Sequence, residues 1–197
     1  MIKYLCYKLM ELKGWTFVNN VSEDIRSFVL IGAPHTSNWD FFAAMFAFKF
    51  MDRKRYNCRF VIKKEWTDFP FGLIMKPLGA WGLDRQKVAL GEKSNTTEVM
   101  SSFFKKEKDL ILAIAPEGTR KPNSRWKTGF YHIAVKAGVP IVLGFVDYSQ
   151  KICGFGKVLF PKDFDQDMRE ITEFYQKEWG KVPNNYLPDE RFSQKNI

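Results

Sequence analysis

Histidine is nearly absent from this sequence: His35 and His132 are its only two among 197 residues. They lie far apart and neither neighbours a cysteine, so zinc-type ligand spacing is missing and no metal is expected. The three cysteines, Cys6, Cys58 and Cys153, are an odd number at wide spacing with no CxxC pair. That excludes a disulfide framework and fits a reducing compartment. Long apolar runs are missing too. The longest, 41–48, falls far short of the roughly 20 residues that cross a bilayer, so no transmembrane segment is expected. Lys8 and Glu11 interrupt the stretch that a secretory signal would keep apolar, which points to the cytoplasm. No Gly-x-Ser-x-Gly elbow occurs, so the commonest arrangement of a nucleophilic serine is excluded. Without repeats, low-complexity tracts or a linker-like stretch, the chain reads as a single domain.

Aromatic residues reach 16%, with 19 Phe and 6 Trp, more than a core of this size needs, so some rings are expected to face lipid or ligand. Lys plus Arg outnumber Asp plus Glu by 31 to 22, a formal charge of +9 that attracts anionic partners. Nucleic acid, anionic lipid headgroups, coenzyme A and acyl carrier protein all satisfy this charge, as does plain solubility.

Ile2, Leu5, Cys6, Leu9 and Met10 share one helical face, with Lys3, Lys8 and Lys13 around it and Gly14 as a stop. This N-terminal unit, residues 1–20, reads either as an interfacial anchor on anionic lipid or as a helix packed on the core. Strands are expected over Phe28–Gly32, 59–62, Ala80–Leu83, 110–115 and 140–147, with helices over 39–51, 95–107, 130–137 and 165–179. The helix over 39–51 is so apolar that it must be buried. Residues 148–160 read as a hairpin, and the tail 181–197 has little periodicity. Alternating strands and helices give an α/β class: a single domain over 21–180 with a mixed, largely parallel sheet flanked by helices.

Four segments carry chemistry. The first is a His-x4-Asp, His35 and Asp40, where a strand gives way to a helix. Residues five apart on a regular helix point about 140° apart, so the two side chains meet only if His35 lies in the loop before the helix. An imidazole there can take a proton from an attacking hydroxyl while the carboxylate fixes its tautomer. The bland alternative is a capping Asp40 beside a satisfied His35. The second is Ala115-Pro116-Glu117-Gly118-Thr119-Arg120, a loop at the carboxyl end of a strand, where α/β folds build sites and where Arg120 can grip a phosphate. Its alternative is an ordinary turn with a solvated arginine. The third puts Arg85 just past the strand Ala80–Leu83, as a phosphate contact or as a surface ion pair. The fourth, Gly138-Val139-Pro140-Ile141-Val142, enters a buried strand and reads on its own as plain core.

Together, in this order and spacing, these segments resemble the glycerolipid acyltransferase family, whose best-known members acylate lysophosphatidic acid. The resemblance spans 28–146. It implies that His35 is the catalytic base and Asp40 its partner. It implies further that Arg85, Glu117, Gly118, Thr119 and Arg120 shape the acceptor pocket and bind its phosphate, and that Pro140 lies near the acyl or acceptor pocket. Lys64 and Lys127 match auxiliary positions and become phosphate contacts. The chain departs from the family pattern at Pro34, Ala115 and Leu143, none of which removes a catalytic group.

The implied reaction is direct attack by a lysophospholipid hydroxyl, foremost that of 1-acyl-sn-glycerol-3-phosphate, on the thioester of acyl-CoA or acyl carrier protein. No cofactor beyond that co-substrate is implied, and backbone amides at the start of the helix over 39–51 would stabilise the oxyanion. The expected location is peripheral, on the cytoplasmic side of an anionic membrane, with no nucleic acid partner. Three other readings stay open: O-acylation of a different lysolipid, such as an amino-acid-containing one; a thioesterase in which the same base activates water; and a non-catalytic basic membrane-binding module.

Overall fold

The computed structural model describes residues 2–53, 56–83, 93–175 and 179–193. Seven strands among them form one sheet: β1 (Thr16–Asn19), β2 (Phe28–Gly32), β3 (Asn57–Lys63), β4 (Ala80–Leu83), β5 (Leu110–Ile114), β6 (Ile141–Asp147) and β7 (Ile152–Leu159). Their order is β1-β7-β6-β2-β5-β3-β4, and every neighbouring pair is parallel except β6 with β7. The carboxyl ends of β2 to β6 therefore share one edge. The β6–β7 turn and the residues entering β1 lie at that edge as well.

Strand β2 explains the layering. Phe28, Val29, Leu30 and Ile31 are all buried, as a central parallel strand requires, and alternate residues face opposite layers. Val29 and Ile31 join Leu112, Ile141 and Leu143 in packing against helices over Gly129–Ala137 and Phe164–Phe174. Phe28 and Leu30 join Ile111 and Val142 against the helix Asp40–Arg53. With Ile2–Leu12 as α1, these helices are α2 (Asp40–Arg53), α3 (Gly72–Met75), α4 (Lys93–Lys106), α5 (Gly129–Ala137) and α6 (Phe164–Phe174). The result is the α/β class with a mixed, mostly parallel sheet that the alternating pattern implies.

Helix α2 is apolar all round because it is covered on two sides. Met45, Phe48 and Met51 pack on the sheet, while Ala43 and Phe46 pack on Tyr7 and Met10 of α1. The packed alternative for α1 thus accounts for Cys6, Tyr7 and Met10, whereas Tyr4, Leu5 and Leu12 remain exposed. No described helix is long and apolar enough to cross a membrane.

Several expected boundaries shift. The edge strand β1 is an addition to the expected set, since its TFVN run is too short to show alternation. The hairpin over 148–160 is instead the turn and second strand of a β6–β7 pair. The last helix ends at Phe174, because Tyr175 turns to extended backbone and sends its hydroxyl to the Ile31 carbonyl at 3.0 Å. Gly138 closes α5 at φ 67°, a left-handed position that suits glycine.

The aperiodic tail is ordered by specific bonds over 179–193. Asp189 is fully buried and accepts the Trp126 N–H at 3.2 Å and the Arg191 guanidinium at 2.7 and 3.0 Å. Arg191 also donates to the Trp126 carbonyl at 2.7 Å, and the Trp126 indole donates to Leu187. Replacing Asp189 with alanine leaves a buried N–H without an acceptor and releases the guanidinium. The expected loss is about 2–4 kcal/mol, read as a lower urea midpoint with an unchanged slope.

Candidate active site

Strand β2 delivers the chain to its carboxyl edge at Gly32. A cis Ala33–Pro34 peptide follows, and then His35. Asp40 is the first residue of α2, so the histidine sits in the loop and the aspartate on the helix, the arrangement in which the two can meet. They do: His35 Nδ1 lies 3.0 Å from Asp40 Oδ2.

The same oxygen accepts the Thr36 and Ser37 amides at 2.9 and 3.0 Å, and Oδ1 accepts the Tyr148 hydroxyl at 2.8 Å. Asp40 thus reaches back to amides before it instead of forward to the first turn of its helix, which separates it from an ordinary capping aspartate. A carboxylate is the only side chain that can accept from all four groups at once. Burial, and after it the charge of Asp40, push the Tyr148 hydroxyl well above the usual tyrosine range, so it stays protonated and donates. With Nδ1 turned to a carboxylate already crowded by donors, the ring proton belongs on Nδ1 and the Nε2 lone pair is left open. The His35 side chain is 28% exposed, and its Nε2 neither bonds a described residue nor counts among the buried unpartnered atoms.

The loop after β5 closes the other side. Glu117 is 4% exposed, and its Oε2 accepts the His35 backbone N–H at 2.7 Å. Burial pushes its carboxyl up to about 8, outweighing the opposing effect of the His35 bond, and the Asp40 charge adds to the rise. Its Oε1 is buried with no hydrogen-bond partner among the described residues. The Asn123 amide holds the Glu117 carbonyl at 2.8 Å. Gly118 has φ +66°, and a Cβ there would come within 3.0 Å of the Lys127 side chain, so the turn and the lysine stem both call for glycine.

The expected residues divide by position. His35, Asp40, Glu117 and Gly118 are brought together. Thr119 spends its hydroxyl on the Lys121 N–H, while Arg120 is exposed, with no carboxylate partner among the described residues. Lys64 stands just past β3 at the same edge, its ammonium 2.8 Å from Asp68. Arg85 lies outside the described residues. Pro140 is not part of this edge: it precedes β6, its carbonyl accepts the Val29 N–H at 3.0 Å, and four strand residues, about 13 Å, separate its level from that of Gly32. Around the start of α2 the amides of Thr36 and Ser37 serve Asp40, that of Trp39 donates to Ser37 Oγ, and those of Asp40 and Phe41 bond the Ser37 and Asn38 carbonyls.

Sequence reasoning misses Tyr148, although its place directly after a central parallel strand is a signal that could flag it. It misses the tail as well. Val182 N–H bonds the Thr36 hydroxyl at 3.2 Å and so ties the C-terminal segment to the histidine loop. Among the described residues no three histidine, cysteine, aspartate or glutamate side chains gather as a metal site would need.

A histidine–carboxylate pair at the carboxyl edge of an α/β sheet is an arrangement chemically able to take a proton from a hydroxyl. The chain matches the model of the Acyltransferase family over residues 17–142, well over half of its length, and it belongs to that family. It is an acyltransferase, and its family implies an acyl donor and a lipid acceptor. The matched span contains His35, Asp40 and Glu117, whereas Tyr148 and the tail lie beyond it. No curated protein and no solved structure matched the chain.

The raised Glu117 carboxyl makes stability depend on pH. Between about 4.5 and 8 the folded chain keeps a proton that the unfolded chain gives up, so stability is highest below this window and falls as pH rises through it. The Glu117 share of the slope approaches about 1.4 kcal/mol per pH unit. Glu117→Gln should remove that share, which urea unfolding of both proteins at pH 5 and pH 8 will read.

Proposed function

We propose that this acyltransferase moves a fatty acyl group from acyl-CoA or acyl carrier protein onto a hydroxyl of a lysophospholipid, 1-acyl-sn-glycerol-3-phosphate first among them, in phospholipid biosynthesis. The single observation that carries the reading is His35, fixed through Nδ1 by Asp40 and open at Nε2. In the proposed step Nε2 takes the hydroxyl proton as the oxygen bonds to the thioester carbon. The tetrahedral intermediate then expels the thiolate, the C–S bond breaks, and the imidazolium returns the proton to sulfur. Tyr148, Thr36 and Ser37 act on Asp40 and not on substrate, so they are positioning groups. Glu117 holds the histidine backbone in the same way. Arg120, exposed and without a carboxylate partner among the described residues, supports recognition of an anionic headgroup, a role we extend to Arg85.

A lipid acceptor calls for a membrane-facing surface. Residues 66–74 leave the carboxyl end of β3, on the edge that holds His35, and present Trp66, Phe69, Phe71, Leu73 and Ile74 to the outside, with Phe69 84% and Leu73 71% exposed. Leu12, at the end of α1, is exposed as well. Such a patch on a basic protein fits peripheral contact with anionic membrane.

His35→Ala should lower lysolipid-dependent thiol release from acyl-CoA by about 10²–10⁴-fold, measured in detergent or vesicles against a panel that includes an amino-acid-containing lysolipid. Release without any acceptor would mark a hydrolase, and undiminished transfer in the variant would sink the mechanism. The double change Phe69→Ser and Leu73→Ser should reduce co-sedimentation with anionic vesicles while sparing transfer to a short-chain, water-soluble acceptor.

A further inference from the structure

On the β6 side of His35 lies a second basic site. A cavity of about 190 Å³ opens between the end of α1, the turn before β7 and the C-terminal segment. Its polar rim is three lysines from distant parts of the chain, Lys13, Lys151 and Lys181. Three rings shape it: Trp15 meets Tyr148 edge-on at 5.1 Å, and Trp39 faces the opening. Leu9 and Met10 supply an apolar lining.

The lysines are held in place. The Lys13 ammonium sits 5.2 Å over the Trp39 ring, and that of Lys181 lies 5.7 Å from Trp39 and 5.3 Å from Tyr148. Lys151 donates to the Lys13 carbonyl at 3.1 Å. Among the described residues no carboxylate pairs with any of the three. The nearest acid of the β6–β7 turn, Asp147, is buried and spends its Oδ1 on Ser149 and Gln150. Three ammoniums around one cavity repel one another unless an anion joins them. The cavity is also adjacent to the chemistry, because Tyr148 forms its wall and bonds Asp40 at 2.8 Å.

Size narrows the anion. The volume equals roughly six waters at about 30 Å³ each, room for a phosphate and a few carbons but not for a whole nucleotide. Lysines act as separate point charges, and three of them around one cavity suit the several charged oxygens of a phosphate better than the single charge of a carboxylate. The sheet order places this cavity, by β6, and the Arg120 loop, after β5, on opposite flanks of β2 and His35. Acyl transfer brings two phosphate-bearing molecules to one base.

We propose that the cavity lined by Lys13, Lys151 and Lys181 is a phosphate subsite for one of the two substrates, taking a phosphate ester with a short alkyl part. That chemistry occurs in the glycerophosphate headgroup of the acceptor and in the phosphopantetheine arm of the donor. The assignment to a substrate rests on the proposed acyl transfer, while the phosphate chemistry rests on the lysines alone.

The test compares wild type with the triple variant Lys13→Gln, Lys151→Gln, Lys181→Gln. A control, Lys105→Gln, Lys106→Gln, Lys108→Gln, removes the same charge at the far edge of the sheet. Calorimetric titration with sn-glycerol 3-phosphate and with 4′-phosphopantetheine, and KM for lysolipid and for acyl-CoA, are the readouts. One of the two ligands should weaken by about tenfold or more in the first variant only, equivalent to about 1.4 kcal/mol, with the matching KM rising and kcat little changed. A shift with glycerol 3-phosphate and the lysolipid KM identifies the acceptor as the source, and a shift with phosphopantetheine and the acyl-CoA KM identifies the donor. If transfer proceeds and neither binding nor KM separates the variant from the control, the subsite is wrong and the acyl-transfer reading survives. If no transfer occurs yet lysine-dependent phosphate binding does, the subsite survives and that reading falls.

Discussion

The carboxylate of Asp40 fixes the geometry on which the candidate site depends. It gathers the imidazole of His35, the amides of Thr36 and Ser37 and the hydroxyl of Tyr148. These groups come from the loop after β2 and the end of β6, so one buried acceptor aligns two neighbouring parallel strands at their carboxyl ends. Charge-assisted bonds of this kind are about twice as strong as neutral ones, and turning the Thr36 amide away would leave a buried polar group unmatched. The histidine is thereby set by the same bonds that shape the loop.

A second carboxyl completes the frame from the other flank. Glu117 grips the backbone N–H of His35, not its ring, so the loops after β2 and β5 are tied while Nε2 stays open. Two buried acids so near each other would repel if both were charged, and the raised Glu117 carboxyl relieves this by keeping its proton at neutral pH. The C-terminal segment adds a third tie through Val182 and Thr36. The site is held from three directions by backbone and carboxyl contacts, and the imidazole is the part left accessible.

Much of this frame is legible in the order of residues along the chain. An all-apolar run at Phe28–Gly32 reads as a short buried strand, and a histidine in the following loop can reach an aspartate on the next helix. The positions of Asp40, Glu117 and Gly118 follow from strand ends. What is illegible has physical causes. Tyr148 acts at a distance of 108 residues from Asp40 through one hydroxyl, which leaves no periodic trace. The tail is fixed by Asp189, Arg191 and Trp126, a knot of single bonds with no helical or strand repeat. The distance of Pro140 from His35 is illegible because a short motif records order along the chain, whereas the sheet places the start of β6 about a strand length from the end of β2.

The first helix shows how packing reassigns a sequence signal. Of its apolar face, Cys6 and Met10 join Tyr7 in covering α2, whose own residues Ala43 and Phe46 need the cover, while Leu5 stays exposed. Inserting this face into a bilayer would strip α2, and because lipid is about as apolar as the core, the exchange would bring α1 little gain while exposing Phe46. Residues 66–74 carry no such obligation. Phe69 and Leu73 are already in water, so moving them into lipid buries surface that folding left uncovered. The aromatic excess of the sequence therefore divides into rings that knit α1 to α2, rings that frame the three-lysine cavity beside Asp40, and rings that stand free on the β3 side of the same edge.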